Sequence, residues 1–269
     1  MRNCLRFLVL CLLCVCLNAC TNTKKELGYS LVIGAETTSH GYIVQDQMII
    51  AEYQNEKRAL GQAYLNAHIR FPQITNMRDS SVEEKVNRIL KDVAVETVSY
   101  LDTDETLKMF SDIVNGNLPS QVWGGDNEYK IIFLNDEIIS VNFFGDCYFG
   151  GAHPSFTSQH VTISLANGEK VPYTDYFSKD SMINAIKAKN FEWIEGQYTG
   201  GYKGNEPELI TKFVSTFSEG TQDNIVYDKY RPSYKYSFAI DEEFVYLNMY
   251  FYDSLHGFVV LKFRLSDLD

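Results

Sequence analysis

The sequence predicts an α+β protein in which antiparallel sheets pack against helices in two closely joined subdomains. Three observations favour this class: segments that alternate apolar and polar residues, turn signals that join consecutive segments, and stretches with apolar residues at helical spacing. Strands come in runs instead of alternating singly with helices, which indicates antiparallel pairing.

The first half of the chain predicts strands followed by two helices. The expected strands are Tyr29–Ile33, Met48–Tyr53 and Ala63–Phe71, the last ending before Pro72. Ser80 and Ser81 are expected to cap the first helix, whose apolar residues recur at helical spacing up to Val93. The second helix is expected from about Asp104 to Val114.

The second half predicts a hairpin, two helices and a closing set of strands. The hairpin joins 129–134 to 137–144, a strand covers 156–165, and Asn167-Gly168 has the sequence of a two-residue hairpin turn. Helices are expected at about 179–194 and 206–217, with loops at 196–204 and 220–224. Aromatic-rich strands at 236–240, 244–252 and 258–265 end the chain.

The N-terminus has the pattern of a bacterial signal peptide. Arg2 and Arg6 precede an apolar run over residues 7–17, which is shorter than the roughly 18 residues that a membrane-spanning helix needs. The residues up to Cys20 resemble the lipobox of bacterial lipoproteins, which predicts cleavage before Cys20 and attachment of lipid to it. An ordinary secretory signal cleaved after Ala19 is the alternative.

These features divide the chain into four predicted regions. Residues 1–19 are the lipoprotein signal peptide, 20–28 a tether, 29–120 the first subdomain and 121–269 the second. Cys20 and Cys147 are the cysteines left after cleavage, so a lipidated Cys20 leaves no disulfide within the folded part. Thr21 stands where Asp would mark inner-membrane retention in some bacteria, which favours the outer membrane.

The charge of the chain restricts its partners. The formal net charge is −11 and becomes more negative when the signal peptide is removed. A negative surface repels phosphate backbones, so nucleic acid is not expected as a partner. The same field attracts cationic proteins.

One motif stands apart from generic patterning. Residues 145–154 read Gly-Asp-Cys-Tyr-Phe-Gly-Gly-Ala-His-Pro and are followed by a strand, the Asn167-Gly168 turn and an aromatic segment at 171–177. This arrangement resembles the bacterial DUF3298 family. The Ile-Arg-Phe-Pro-Gln-Ile run at 69–74, with the helix after it, resembles the DUF4163 unit that commonly precedes that domain.

The resemblance implies that the protein binds a ligand or a partner protein. The family includes the extracytoplasmic domain of the anti-sigma factor RsiV, which senses lysozyme, and the N-terminal region of the deacetylase PdaC, whose chemistry belongs to a separate catalytic domain. We expect a lipid-anchored, RsiV-like binding or sensing protein of the cell envelope, which faces away from the cytoplasm. Its expected partners are lysozyme, another cationic envelope protein or peptidoglycan fragments.

Four residues in or just after the motif are candidates for a binding site: Asp146, Tyr148, His153 and His160. The two glycines and Pro154 would hold His153 in a defined position, and Asp146 and His160 carry groups that bind ligands or transfer protons. A purely structural turn is the competing interpretation. The spacing of these residues matches no metal-ligand signature, so neither a metal nor another cofactor is expected.

A glycine-rich loop supplies two further candidates. Tyr198 and Tyr202 flank Gly200-Gly201 and have the character of residues that stack on sugars or contact proteins. No catalytic set is evident, so we expect a binding protein rather than an enzyme. A cell-wall glycan hydrolase or deacetylase that uses Asp146, His153 and His160 is the alternative.

Overall fold

The computed structural model describes residues 25–29, 34–37, 41–55, 63–99, 101–117, 122–148, 150, 154–196, 206–219, 221–222, 235–251 and 257–268. Within these ranges, two sheets and four α-helices make up the fold. The predicted α+β class is confirmed. None of the described helices is both long and apolar enough to span a bilayer.

The first sheet has seven strands, ordered β1-β3-β4-β5-β6-β7 with β2 also paired to β3. Its strands are β1 (Lys25–Tyr29), β2 (Gly34–Thr37), β3 (Ile43–Asn55), β4 (Ala63–Thr75), β5 (Val122–Leu134), β6 (Ile138–Tyr148) and β7 (Ser155–Ser164). Strands β5 to β7 belong to the second predicted subdomain, yet they complete the same sheet as β1 to β4. The first sheet therefore spans residue 120, the predicted boundary.

The second sheet has five strands, ordered β8-β12-β11-β10-β9. They are β8 (Glu192–Gly196), β9 (Thr221–Gln222), β10 (Lys235–Ile240), β11 (Phe244–Phe251) and β12 (Gly257–Arg264). The short β9 lies in a segment predicted to be a loop, and it pairs in parallel with β10. The three terminal strands pair antiparallel, as predicted.

Four helices complete the described part of the chain: α1 (Ser80–Ser99), α2 (Thr103–Val114), α3 (Lys179–Ala188) and α4 (Glu206–Glu219). The α1–α2 pair connects β4 to β5, which run parallel to each other. A parallel connection needs such a crossover, because a tight turn can only reverse the chain. The prediction of antiparallel pairing therefore fails at this one junction of the first sheet.

One side of the first sheet is buried under α1. Strand side chains alternate between the two sides, so Ile49, Leu65 and Ile69 point to the same core. Val86 and Leu90 of α1 are fully buried against them. The opposite side of the same strands carries mostly polar residues, which is why β3 and β4 alternate in sequence.

Strand β4 continues through Pro72, which was predicted to follow the strand. Pro72 pairs with Asp46 of β3 on one side. On the other side the pairing with β5 stops at Ile69, so β4 is locally an edge strand at Pro72. A proline, which has no N–H to donate, is tolerated at such an edge. The side chain of Asn127 bridges the diverging strands there, accepting from Arg70 N at 2.7 Å and donating to Arg70 O at 2.9 Å.

Gly124 and Gly125 lie inside β5, which begins seven residues before the strand predicted at 129–134. A Cβ on Gly125 would lie 3.2 Å from Cβ of Val98 and 3.0 Å from Asp146 O, so the glycine lets α1 and β6 approach closely. Gly145 on β6 is tighter still, since a Cβ there would lie 2.3 Å from Asp126 O. Close backbone approach thus explains the first residue of the predicted motif.

The cap of α1 is Asp79, not Ser80 or Ser81. Its carboxylate accepts from the backbone N–H groups of Ser81 and Val82 and from the Ser81 hydroxyl. These bonds, led by that of the hydroxyl, lower the pKa of Asp79. The carboxylate satisfies two of the N–H groups that a helix leaves unpaired at its start.

The turn at Asn167-Gly168 is longer than predicted. Ser164 N donates to Glu169 O, and Gly168 N donates to Ser164 O, so residues 165–168 form a four-residue connection. Gly168 has φ +72°, which a residue with a side chain rarely adopts. The returning residue, Lys170, makes a single bridge to Ile163 instead of a long strand.

Helix α3 ends at Ala188, not near residue 194 as predicted. Lys189 caps it in the left-handed conformation with φ 59°. The residues from Glu192 onward form β8, which pairs with β12 and places the ring of Trp193 5.8 Å from that of Phe213. Pairing and ring packing together override the apparent helical continuation.

The second sheet packs against α3 and α4 through a core of its own. Met182, Phe213, Phe217, Leu247 and Phe263 are all fully buried in it. The two sheets meet where β10 and β11 lie against β6 and β7.

Candidate functional site

The predicted site residues divide between the described part of the chain and the rest. Cys20, His153, Tyr198 and Tyr202 lie outside the described residues. Asp146 and Tyr148 lie on β6, opposite Asp126 and Gly124 of β5. His160 lies on β7.

Asp146 and His160 are not neighbours. His160 pairs with Asn142, four residues along β6 from Asp146. At about 3.3 Å per strand residue the separation is roughly 13 Å, too far for the two groups to contact one molecule of water. The structure therefore does not bring this predicted pair together.

His160 is a buried histidine in the seam between the sheets. Its side chain is 3% exposed, and its backbone N donates to Ser237 Oγ at 2.9 Å. Burial lowers the pKa of His160 to about 3, so the ring is neutral at physiological pH. Among the described residues no group hydrogen-bonds to its Nδ1.

Other polar groups fix the same seam. The hydroxyl of Ser140 lies 3.0 Å from that of Thr162 and accepts from Ile240 N at 3.2 Å. Asn248 Nδ2 donates to Ser158 O at 2.5 Å. This half of the β6–β7 pair is therefore covered by the second sheet and closed to ligands.

The other half of the same face is open to solvent. We call the solvent-facing side of β3 to β7 beyond the seam the open face. Asp146 lies on it, opposite Phe156 of β7. Partial burial, and then the nearby carboxylate of Asp126, raise the pKa of Asp146.

His68 is held between two carboxylates on the open face. Its Nδ1 lies 2.9 Å from Asp126 Oδ1 and its Nε2 3.2 Å from Glu52 Oε1, while its backbone N also donates to Asp126 at 3.2 Å. Because both ring nitrogens have a carboxylate partner, the orientation of the ring is fixed. Its side chain remains 34% exposed.

Arg70 makes the second charged network, two residues further along β4. One of its terminal nitrogens donates to both oxygens of Glu128, at 2.6 and 2.8 Å, and the other donates to Asp46. These hydrogen bonds, that of Asp46 first, raise the pKa of Arg70 above its ordinary value. A guanidinium shared by two carboxylates holds both in place.

Two exposed phenylalanines lie beside these charges. Phe144 is 36% exposed and pairs with Glu128, while Phe156 is 46% exposed and pairs with Asp146. Phe144 and Phe156 are diagonal neighbours on β6 and β7, about 7 to 8 Å apart at their Cα atoms. They form an apolar pair that lies beside the carboxylates of Glu128 and Asp146.

The charge of the open face is negative. Five of its side chains are carboxylates: Asp46, Glu52, Asp126, Glu128 and Asp146. The cations that bind to them are Arg70 and, when it is protonated, His68. Across the described residues no group of three or more His, Cys, Asp or Glu side chains has the arrangement of a metal site.

The sequence did not reveal most of these residues as a site. His68 and Arg70 are separated by one residue, as are Asp126 and Glu128, and such spacing places each pair on one side of a strand. This spacing could therefore have been read from the sequence. The parallel register that sets His68 beside Asp126 was not, because it depends on how α1 and α2 fold between the strands.

Part of this chain matches a known family. Residues 60–156 match the family model described as Deacetylase PdaC. The predicted resemblance is confirmed for this segment. It includes β4, α1, α2, β5, β6 and the first two residues of β7, and with them His68, Asp126, Phe144, Asp146 and Phe156 of the open face. A search of the curated proteins finds no match.

Solved structures of the DUF3298 family are similar to the chain beyond this PdaC-matching segment. One, from Bacteroides fragilis NCTC 9343, has 14% sequence identity and a TM-score of 0.47, with 83% of this chain and 91% of that one covered. Another, from Pseudomonas aeruginosa PAO1, has 10% identity and a TM-score of 0.44, with the same coverage.

Proposed function

We propose that this protein is a cell-envelope binding protein, held on a membrane by lipid on Cys20, whose open face binds the surface of a cationic protein. The observation that carries the proposal is the exposed Phe144–Phe156 pair, which lies beside Glu128 and Asp146 at one end of a face that holds three further carboxylates. The N-terminal signal and lipobox pattern support export and anchoring, with the outer membrane as the proposed location.

The apolar pair would supply most of the affinity. Burying an exposed phenylalanine side chain contributes about 1.5 to 3 kcal/mol, and aromatic residues are common among those that dominate protein interfaces. Both rings project from rigid strands, so binding would order little additional chain. A partner would need an apolar patch of matching size.

The carboxylates would select the partner. Fixed negative charges on one side of an apolar pair attract a basic surface and oppose an acidic one, and the net charge of −11 extends that attraction beyond contact distance. Lysozyme is the cationic protein we propose to test first, because the family resemblance points to it.

Titration of the mature protein in detergent against lysozyme tests the proposal. We expect saturable binding that weakens as salt is raised from low to moderate concentration. Phe156→Ala should weaken binding by at least about tenfold, the loss of roughly 1.4 kcal/mol. Ile194→Ala is the matched control, since Ile194 is an equally exposed apolar residue on β8.

Two results would count against this function. Equal weakening by Phe156→Ala and Ile194→Ala would show that the open face is not the site. Binding that is indifferent to salt and to Glu128→Gln would remove the electrostatic part. If lysozyme does not bind but another basic envelope protein binds with the same dependence, the surface assignment stands and the choice of partner is wrong.

Labelling with a lipid precursor tests the anchor separately. The wild-type protein should incorporate labelled fatty acid and stay with membranes, whereas Cys20→Ala should do neither. Secretion of an unlabelled wild-type protein would favour the ordinary signal peptide cleaved after Ala19.

The second candidate function is a cell-wall glycan deacetylase, which the name of the matched family raises even though the chemistry of PdaC belongs to a separate catalytic domain. Among the predicted catalytic residues, His160 is buried, so this function would depend on Asp146 and His153. Release of acetate from purified peptidoglycan, lost in Asp146→Asn and in His153→Ala, would support it. Peptidoglycan that binds without release of acetate would support recognition instead.

A further inference from the structure

One end of the first sheet is the end at which the described chain begins. Strand β1 starts at Lys25, which pairs with Tyr53 of β3. Tyr53 pairs with Leu65 of β4, and Leu65 pairs with Trp123 of β5. The starts of β1, β4 and β5 are therefore level with one another. We call the end of the sheet at Lys25, Tyr64 and Val122 the anchor end.

The anchor end is close to the proposed site of lipid attachment. Lys25 follows Cys20 by five residues, and an extended chain covers at most about 3.6 Å per residue, so the span is at most about 18 Å. Strand β5 is three strands from β1, or about 14 Å across the sheet. The opposite end of β3, at Ile43, is ten residues from Tyr53, or about 33 Å along the strand. Lipid on Cys20 would therefore keep the anchor end near the membrane.

The anchor end carries large apolar side chains that are only partly buried. Tyr64 of β4 and Val122 of β5 are neighbours across the two strands, and both are partly exposed. Tyr148 of β6, which pairs with Gly124, lies two residues further along the sheet and is also partly exposed. Each of the three is an even number of residues from an open-face residue of its own strand, so all project on that side of the sheet.

Tyrosine side chains suit the boundary between lipid and water. The ring is apolar and the hydroxyl is polar, and tyrosine is enriched at the level of the lipid headgroups. The contact that Tyr64 and Val122 offer is small and would be weak for a protein free in solution. A protein already held by lipid needs less affinity, because a short tether gives the surface an effective concentration in the millimolar range.

We propose that the anchor end of the first sheet contacts the lipid surface, with Tyr64, Val122 and Tyr148 at the level of the headgroups. This orientation depends on the lipid attachment in the proposed function. The strands then stand upright on the membrane, and the open face is turned to the side.

This orientation leaves the protein-binding surface clear of the lipid. Phe156 is level with Asp126, which is four residues along β5 from Val122. Phe144 is level with Glu128, six residues from Val122. At about 3.3 Å per residue, the two phenylalanines are roughly 13 and 20 Å above the headgroup contact. A partner that approaches from the side can reach both rings without displacing lipid.

Fluorescence of the mature lipidated protein in phosphatidylcholine vesicles tests the orientation. Cys147 is buried and Cys20 would carry lipid, so a single introduced cysteine can be labelled with a nitrobenzoxadiazole dye. Lipids that are spin-labelled at the headgroup quench the dye on contact. We expect the emission of labelled Val122→Cys to fall at least about twofold, as for a residue at the membrane interface.

The matched control is Lys130→Cys on the same strand. Lys130 is exposed and lies on the same side of β5 as Val122, eight residues or about 26 Å further along. Its dye should keep its emission when the spin-labelled lipid is added. Both positions have the same tether and the same strand, so a difference between them reports the orientation.

Substitution of Tyr64 tests whether its side chain takes part in the contact. Tyr64→Ala, introduced into labelled Val122→Cys, should reduce the quenching. Tyr64→Trp should preserve it, because tryptophan is also enriched at membrane interfaces. Equal quenching in the Ala and Trp variants would overturn the assignment of Tyr64 to the contact.

The remaining outcomes separate this orientation from the anchor. Protein that floats with the vesicles but is quenched equally at residues 122 and 130, or at neither, would overturn the orientation and leave the anchor intact. A blue shift of the dye at residue 122 without quenching would mean that protein, such as a second copy, covers the anchor end, which also overturns it. Wild-type protein that does not float would contradict the anchor, and the orientation with it. Lysozyme binding in detergent depends on none of these results.

Discussion

The two halves of the β6–β7 strand pair share one face of one sheet but have opposite environments. In the half under the second sheet, Ser140 and His160 are buried and hydrogen-bonded across the seam. In the other half, Phe144 and Phe156 are exposed beside Asp146. The polar residues of this face are thus buried and its phenylalanines are exposed. Packing against the second sheet therefore determines which residues of the strand pair are exposed to solvent.

The largest loss of stability is expected from substitution of Gly145, where the two halves of the strand pair join. We expect Gly145→Ala to destabilise the fold by about 3 kcal/mol, because its Cβ would lie 2.3 Å from Asp126 O and force β5 and β6 apart. Urea unfolding measures the change. Gly124→Ala is the control, since its Cβ would meet nothing closer than 3.4 Å; an equal loss in both variants would contradict the argument from close approach.

The covered half should make the fold sensitive to acid. The pKa of His160 is about 3 in the fold and near 6.5 in the unfolded chain, so between these values the unfolded chain alone binds the proton. The contribution of His160 to the free energy of unfolding is complete above about pH 6.5. Below that value the free energy of unfolding falls by about 1.4 kcal/mol per pH unit. From pH 6.5 to 5 the loss should be about 2 kcal/mol.

Substitution separates this effect from other acid-sensitive groups. Urea unfolding of His160→Gln at both pH values should show a smaller fall in stability than wild type, by about the 2 kcal/mol assigned to the histidine. His68→Gln, on the open face, should retain the fall. If both variants keep the wild-type dependence on pH, then His160 is not the group that titrates.

The open half should show the smallest effect. Burial and the Asp126 carboxylate raise the pKa of Asp146, so its ionised form is disfavoured in the fold and its stabilising contribution is lost as pH rises through that pKa. Asp146→Asn should therefore stabilise the protein at pH 7, by less than about 1 kcal/mol after solvent screening.

A double-mutant cycle sharpens this last prediction. In an Asp126→Asn background the gain in stability from Asp146→Asn should be smaller, because the Asp126 carboxylate no longer raises the pKa of Asp146. The gain should not vanish, because burial of Asp146 remains. Thermal unfolding of the four proteins measures it. A gain that is unchanged by Asp126→Asn would mean that the two carboxylates do not interact.

The sequence was sufficient to predict most of the elements, and the failures have physical causes. Periodicity located α1, α2, α4 and the terminal hairpins. The end of α3 was missed because residues 189–194 retain apolar residues that belong to a strand, and Trp193 shows its role only when Phe213 is beside it. Pro72 ended a predicted strand because its position at a local sheet edge depends on where β5 diverges.

The candidate site was less predictable than the fold. Asp146 was predicted as a candidate from its motif, and it lies on the open face opposite Phe156. Phe144 and Phe156 have the sequence character of core residues, and only the limited extent of the second sheet leaves them exposed. His68 and Arg70 meet their carboxylate partners through a parallel register that spans two helices, which alternation within single strands cannot reveal.

The parallel junction between β4 and β5 also has a kinetic consequence. On either side of it the first sheet consists of neighbours in sequence, β3 with β4 and β5 with β6 and β7, which can form from local contacts. The junction itself forms only after residues 76–121 close a long loop, and contacts of such sequence separation slow folding. The last step in assembling the first sheet should therefore be the pairing of β4 with β5 as α1 packs across them. The open face, to which both strands contribute, would be complete only at that step.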